Sequence, residues 1–251
     1  DFILIREMTW ASMKSRYRNT FAGFLWVIFN PLLMYLVQSI VFMKVLKINV
    51  EHYLLFLLSG LTPWLFFVTA VSMSTPILQE KRELLASFKI NPANIVLSSV
   101  LDNLVNFITV FFILFFVLFF SYSEVLNITG LLLLPLPTLI LLISISTICF
   151  LLAFTQIFLQ DTRFIVQFFI SILFFLTPIF YPVSFVPVEY RWLVEINPLY
   201  ILIRPFRLCL YNFSWGEFGD AMSVAVGLTA ILFFTAYMQW RLKRNEFYLV
   251  M

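Results

Sequence analysis

EKRELLASFK, residues Glu80 to Lys89, decides how this chain is to be read. It holds five of the chain's charged residues (16 Lys and Arg, 13 Asp and Glu in all) and is flanked on both sides by long apolar runs. A charge at the centre of a bilayer costs roughly 2.5–3.5 kcal/mol on insertion scales. Such an island therefore stands in water, between two stretches that do not. It has about one helix's length and ends at Asn91-Pro92.

The flanking runs set the class. The chain has 251 residues, of which 62% are hydrophobic and 12% charged, against about 25% charged in an ordinary soluble domain. No soluble fold hides that much apolar surface. The reading is an all-α integral membrane protein forming a single domain over residues 1–251. Six spans of about 20 residues each fit this length with short connections, which leaves these residues no room for a separate soluble domain. Any ATPase must be another chain, and no GxxxxGK[ST] phosphate loop is present.

The spans fall at about Phe21–Phe42, Tyr53–Leu78, Ile95–Phe120, Ile128–Leu159, Phe164–Tyr181 and Phe218–Trp240. Pro31 should kink the first, and Pro135 with Pro137 should tilt or break the fourth. Residues 1–20 mix apolar side chains with Arg6, Lys14, Arg16 and Arg18 and are too polar to cross. They read as an interfacial helix lying at the headgroups, although Ser12 and Ser15 spoil its apolar face. The same charges make this segment a poor cleavable leader. Residues 182–217 are amphipathic and punctuated by Pro182, Pro187, Pro198 and Pro205. Their segments are too short or too charged to span and read as helices that dip into the outer leaflet and return.

Counting Lys and Arg orients the frame. With the N-terminus inside, the inner segments carry eleven and the outer segments five. This bias predicts that both termini and the charged island lie in the cytoplasm.

Residues able to do chemistry are scarce. Cys149 and Cys209 are far apart, His52 stands alone beside Glu51, and no basic run suits nucleic acid. Asp102, Asn106 and Thr109 form an i, i+4, i+7 stripe on the third span. It reads either as a proton or ion relay or as helix–helix hydrogen bonding, and the second fits a chain with so few buried acids better. Tyr35, Gln38 and Phe42 share a face of the first span. Gln167, Ser171, Phe174 and Phe175 share one side of the fifth. Aromatic rings and amides together suit sugars, and these seven are the candidate lining of a path; packing within the core is the plainer reading of each. Lys14, Arg16 and Arg18 serve either as a topology anchor or as a seat for a lipid pyrophosphate. On the island, Leu84, Leu85 and Phe88 make an i, i+1, i+4 apolar patch among Glu80, Lys81, Arg82 and Glu83, which points to docking into a partner's groove.

Four segments, in order, resemble the permeases of polysaccharide-exporting ABC transporters. They are Arg16-Tyr-Arg-Asn-Thr-Phe-Ala-Gly-Phe-Leu-Trp-Val-Ile-Phe-Asn-Pro-Leu, Phe56-Leu-Leu-Ser-Gly-Leu-Thr-Pro-Trp-Leu-Phe-Phe, Thr177-Pro-Ile-Phe-Tyr-Pro and Asn197-Pro-Leu-Tyr. The resemblance implies a homodimer in the bacterial inner membrane. Two ATPase subunits would bind ATP and magnesium, and this chain itself would hold no cofactor and catalyse no reaction. It makes residues 79–92 a coupling helix, makes 182–217 an outer gate, and places an aromatic-rich path between protomers. The implied cargo is a lipid-linked polysaccharide, with undecaprenyl-pyrophosphate-linked O-antigen the nearest match. Teichoic acid, capsular polysaccharide or a small lipid or drug are the alternatives within the architecture. An ATP-independent membrane transferase or flippase is the alternative outside it and would need a reactive group such as Asp102 deep in a span.

Overall fold

The computed structural model describes residues 2–16, 25–88 and 90–250. Every regular element among them is helical. Helix α1 is Phe2–Arg16, α2 Leu25–Ile40, α3 Tyr53–Ser74, α4 Ile77–Glu80, α5 Arg82–Ser87 and α6 Pro92–Tyr122. After these come α7 Ile128–Leu133, α8 Pro135–Phe158, α9 Thr162–Leu176, α10 Arg191–Glu195, α11 Pro198–Leu210 and α12 Trp215–Val250.

Local chemistry sets several of these boundaries. Asn91, Asn127 and Asn197 stand just before α6, α7 and α11, and each side chain accepts from the first backbone N–H groups of its helix. Proline follows Asn91 and Asn197 at the first helical position, where no N–H is required. Pro31 sits inside α2, which stays helical through Ile40 and then loosens into a π-turn at Val41–Val45. The fourth expected span divides into α7 and α8 at Leu134, immediately before Pro135.

Among the described residues, four segments are long and apolar enough to cross a membrane: Tyr53–Glu80, Pro92–Tyr122, Ile128–Phe158 and Trp215–Leu249. The other two expected spans correspond to shorter apolar helices, Phe29–Val45 and Thr162–Leu176. At 1.5 Å per residue α9 is about 22 Å long, less than a hydrocarbon core of about 30 Å. The chain leaves helix at Thr177, whose backbone is extended.

Helix α3 is the axis. Leu55, Leu57, Leu58, Leu61, Trp64, Phe66, Ala70 and Val71 are all buried, as expected of a helix that is apolar all round. Helices α6, α8 and α11 pack against it, and α12 closes over α8 and α11. Phe66, Phe107, Phe111 and Phe206 interlock where α3, α6 and α11 meet. A second aromatic cluster, Phe154, Trp240 and Phe247, ties the far end of α12 to α8.

Helix α1, expected as an interfacial helix, packs along α6. The hydroxyl of Ser12 donates to Asp102 Oδ2 at 3.0 Å, and that of Thr9 reaches the Ser98 carbonyl at 3.3 Å. Asp102 is fully buried. The serine that interrupts the apolar face of α1 is thus its polar contact with the bundle.

Candidate functional site

The charged island is a short two-helix turn. Leu78 is fully buried in α4, and Glu80, Lys81, Arg82 and Glu83 are exposed. The expected apolar patch is divided by the fold. Leu84 and Leu85 lie half-buried against the protein's own core, whereas Phe88 is 61% exposed. Its backbone has already left helix (φ −131, ψ 140), so the ring cannot share a helical face with the two leucines. Lys89 lies outside the described residues.

Behind this turn Gln79 meets Gln156, a residue only 2% exposed at the end of α8. Gln156 Nε2 donates to Gln79 Oε1 at 3.2 Å and to the Gln160 carbonyl at 2.9 Å. Its Oε1 accepts from the Arg163 backbone N–H at 2.9 Å. One buried amide therefore joins the island to the start of α9. Gln156 drew no attention in the sequence, where it is a single amide closing a long apolar run. At that depth a satisfied amide is costly to disturb, because each loose end loses its partner without access to water.

The seven candidate lining residues do not form one surface. Tyr35 is 7% exposed and donates to the Leu54 carbonyl at 2.7 Å, inside the bundle. Phe42 stacks on Phe180 with ring centroids 4.9 Å apart, and Phe174 meets the same ring at 5.0 Å. The first and fifth expected spans are thus joined through Phe180. Gln38 is half-buried, and Gln167, Ser171 and Phe175 stand on the open side of α9. Ser171 donates to the Gln167 carbonyl at 3.0 Å. An amide and a hydroxyl on an open helix face at membrane depth are unsuited to lipid and belong against protein or water. Of the basic trio, Lys14 is exposed on α1, Arg16 is the last residue of α1, and Arg18 lies outside the described residues.

At the opposite end, the proline-punctuated segment forms two 3₁₀ turns (Val183–Phe185 and Val188–Tyr190), α10 and α11. Arg207 of α11 is 9% exposed and fixes this segment to α3. Its Nη1 donates to the Pro178 carbonyl at 2.9 Å, Nη2 to the Ile179 carbonyl at 3.3 Å and Nε to the Ser59 hydroxyl at 3.3 Å. The guanidinium lies 4.1 Å from the centre of the Phe56 ring. The carbonyls past the end of α9 have no helical partner, and the arginine supplies one. Close approach requires Gly60: a Cβ there would stand 2.3 Å from Arg207 Nη2 and 3.1 Å from the Ile179 oxygen. Asn197 Nδ2 adds a bond to Thr177 Oγ1 at 3.0 Å. Three of the four distinctive sequence segments, around Ser59-Gly60, Thr177-Pro178 and Asn197, therefore meet in one joint. The sequence reading counted Arg207 only as a charge on the outer side, because nothing local marks it as buried.

Comparison with known proteins agrees with this architecture. The family model described as ABC-2 type transporter matches residues 3–211. A protein of Myxococcus xanthus named O-antigen export system permease protein RfbA is 28% identical over 246 residues, covering 97% of this chain and 94% of its own length. A Klebsiella pneumoniae protein of the same name is 27% identical over 211 residues, covering 84% of this chain and 81% of its own length. With a multi-pass helical bundle and a family match over most of its length, the chain belongs to the ABC-2 type transporter family of membrane proteins.

Proposed function

We propose that this chain is the membrane permease of an ATP-driven exporter that carries a lipid-linked polysaccharide outward across the bacterial inner membrane, with O-antigen on undecaprenyl pyrophosphate as the cargo. The observation that carries this is the solvent-facing turn Glu80–Phe88, anchored behind by Gln79–Gln156 to the start of α9. A partner that pushes on the turn moves α9, the helix whose open face carries Gln167, Ser171 and Phe175. The names of the similar proteins support the cargo class.

In this reading two protomers pair and two ATPase subunits bind ATP and magnesium beneath them. Both termini and residues 79–92 face the cytoplasm, in keeping with the distribution of Lys and Arg. Phe88, with Glu80, Lys81, Arg82 and Glu83 around it, is the docking face, and Leu84 and Leu85 hold the turn to the bundle. Lys14, Arg16 and Arg18 receive the pyrophosphate of the cargo, a role suited to bidentate guanidinium–phosphate pairing. The segment from Pro182 to Glu217 is the outer gate, pinned shut by Arg207.

The test is reconstitution of the chain with its ATPase in proteoliposomes loaded with lipid-linked glycan. ATP-dependent appearance of glycan on the far face is expected. Glycan movement that is equally fast without ATP would overturn the reading in favour of a passive flippase.

A further inference from the structure

Helices α2, α3 and α6 enclose a second polar feature, a cleft of about 200 Å³ lined by Trp26, Asn30, Thr62, Thr69, Asn103 and Asn106 among other residues. The two α6 asparagines lie about 17–21 Å along that helix from Pro92, well inside a hydrocarbon core of about 30 Å. Three amides and two hydroxyls gathered at that depth require a reason, since polar side chains in a membrane are kept for a partner or a ligand.

The hydrogen-bond inventory shows what kind of ligand. The Thr62 hydroxyl donates to the Leu58 carbonyl at 2.8 Å, and that of Thr69 to Leu65 at 2.8 Å. Both hydrogens are thereby engaged within α3, which leaves lone pairs turned outward. Asn103 Nδ2 donates to the Ser99 carbonyl at 2.9 Å. Asn106 Oδ1 is sealed from solvent without a hydrogen-bond partner among the described residues. With the amide N–H groups of Asn30, Asn103 and Asn106, the described lining offers both acceptors and donors, a mixture that a hydroxyl, itself donor and acceptor, can match. Trp26, 57% exposed, supplies a flat apolar ring at its edge. The described lining contains no carboxylate to balance a cation, which favours neutral hydroxyls over an ammonium group.

We propose that this cleft binds a single hydroxyl-bearing ring attached to an apolar tail, a sugar headgroup of a glycolipid. Its volume admits one ring rather than a polymer. The site lies within one protomer, apart from the open face of α9. The exporter reading is needed only for the suggestion that the sugar comes from the cargo.

The test uses the full chain in phosphatidylcholine nanodiscs and reads Trp26 fluorescence as the difference from Trp26→Phe. Dodecyl glucoside brominated along its chain should quench saturably, and dodecylphosphocholine brominated in the same way should not saturate. Thr69→Val should raise half-saturation about tenfold, the worth of one hydrogen bond at about 1.4 kcal/mol. Thr69 is exposed, so its variant tests the cleft without disturbing the core. Equal quenching by both headgroups, or unchanged half-saturation in a folded variant, would overturn the proposal.

The binding measurement needs neither ATP nor a partner, so its failure leaves the exporter reading in place. Saturable glucoside binding by a chain that moves no glycan when supplied with ATPase and ATP would remove the exporter reading and keep the site. In proteoliposomes, slower transport by Thr69→Val marks the sugar as cargo, and unchanged transport marks it as a resident glycolipid.

Discussion

Gly60→Ala should destabilise this protein, and the damage should depend on Arg207. In an unconstrained helix the exchange is favourable by about 0.8–1 kcal/mol, because alanine is the better helix former. Here the new methyl would stand 2.3 Å from Arg207 Nη2 and 3.1 Å from the Ile179 oxygen. The guanidinium has to withdraw, which loses the Nη2 bond to Ile179 and disturbs the stacking on Phe56. Overpacking costs about 1–3 kcal/mol and a charge-assisted hydrogen bond about 1.5–3 kcal/mol, so after the helix gain the net loss is about 2–5 kcal/mol. Replacing Arg207 by alanine removes the nearer of the two contacts and leaves the one with the Ile179 oxygen. In that background Gly60→Ala should change stability by no more than about 1 kcal/mol, leaving a coupling of at least about 1 kcal/mol between the two positions. The assay is a double-mutant cycle on purified protein in mixed micelles, following helix content against rising SDS. An equal cost of Gly60→Ala in both backgrounds would refute the claim that the glycine exists to admit the arginine.

Other perturbations separate the remaining roles. Gln156→Leu removes the bonds to Gln79, Gln160 and the Arg163 N–H together; it should uncouple ATPase turnover from glycan movement, and transport per ATP hydrolysed equal to wild type would count against the linkage. Phe88→Asp should abolish co-purification with the ATPase while the bundle stays folded. Leu84→Asp should instead lower stability, since that side chain packs inward; if both variants only lose the partner, the division of the patch is wrong. Ser12→Ala should loosen α1 from α6 by about 0.5–1.5 kcal/mol, the net worth of one hydrogen bond, seen as faster proteolysis within residues 2–16 and absent if α1 is held by apolar contacts alone.

Much of the frame was legible because lipid imposes strong, local rules. A charge island between apolar runs has to be a loop, so the placement of Glu80–Lys89 between α3 and α6 follows from solvation alone. Which side of a short helix faces inward was not legible. Leu84, Leu85 and Phe88 have the spacing of one helical face, yet the helix ends before Phe88 and the leucines turn to the core. Ser12 looked like a flaw in an apolar face because its acceptor, Asp102, is 90 residues away in the chain.

The amino-acid sequence by itself determined that this is a multi-pass helical membrane protein and where its charged turn lies between the apolar helices. Those properties depend on transfer free energies summed over neighbouring residues. Only the tertiary structure decided that Arg207, Ser59, Gly60 and Ile179 form one joint, that Gln156 ties the turn to α9, and that Asn103 and Asn106 open onto a cleft with Thr62 and Thr69. These are contacts between residues distant in sequence, and at membrane depth each buried donor or acceptor must find its partner within the fold because no water is there to replace it.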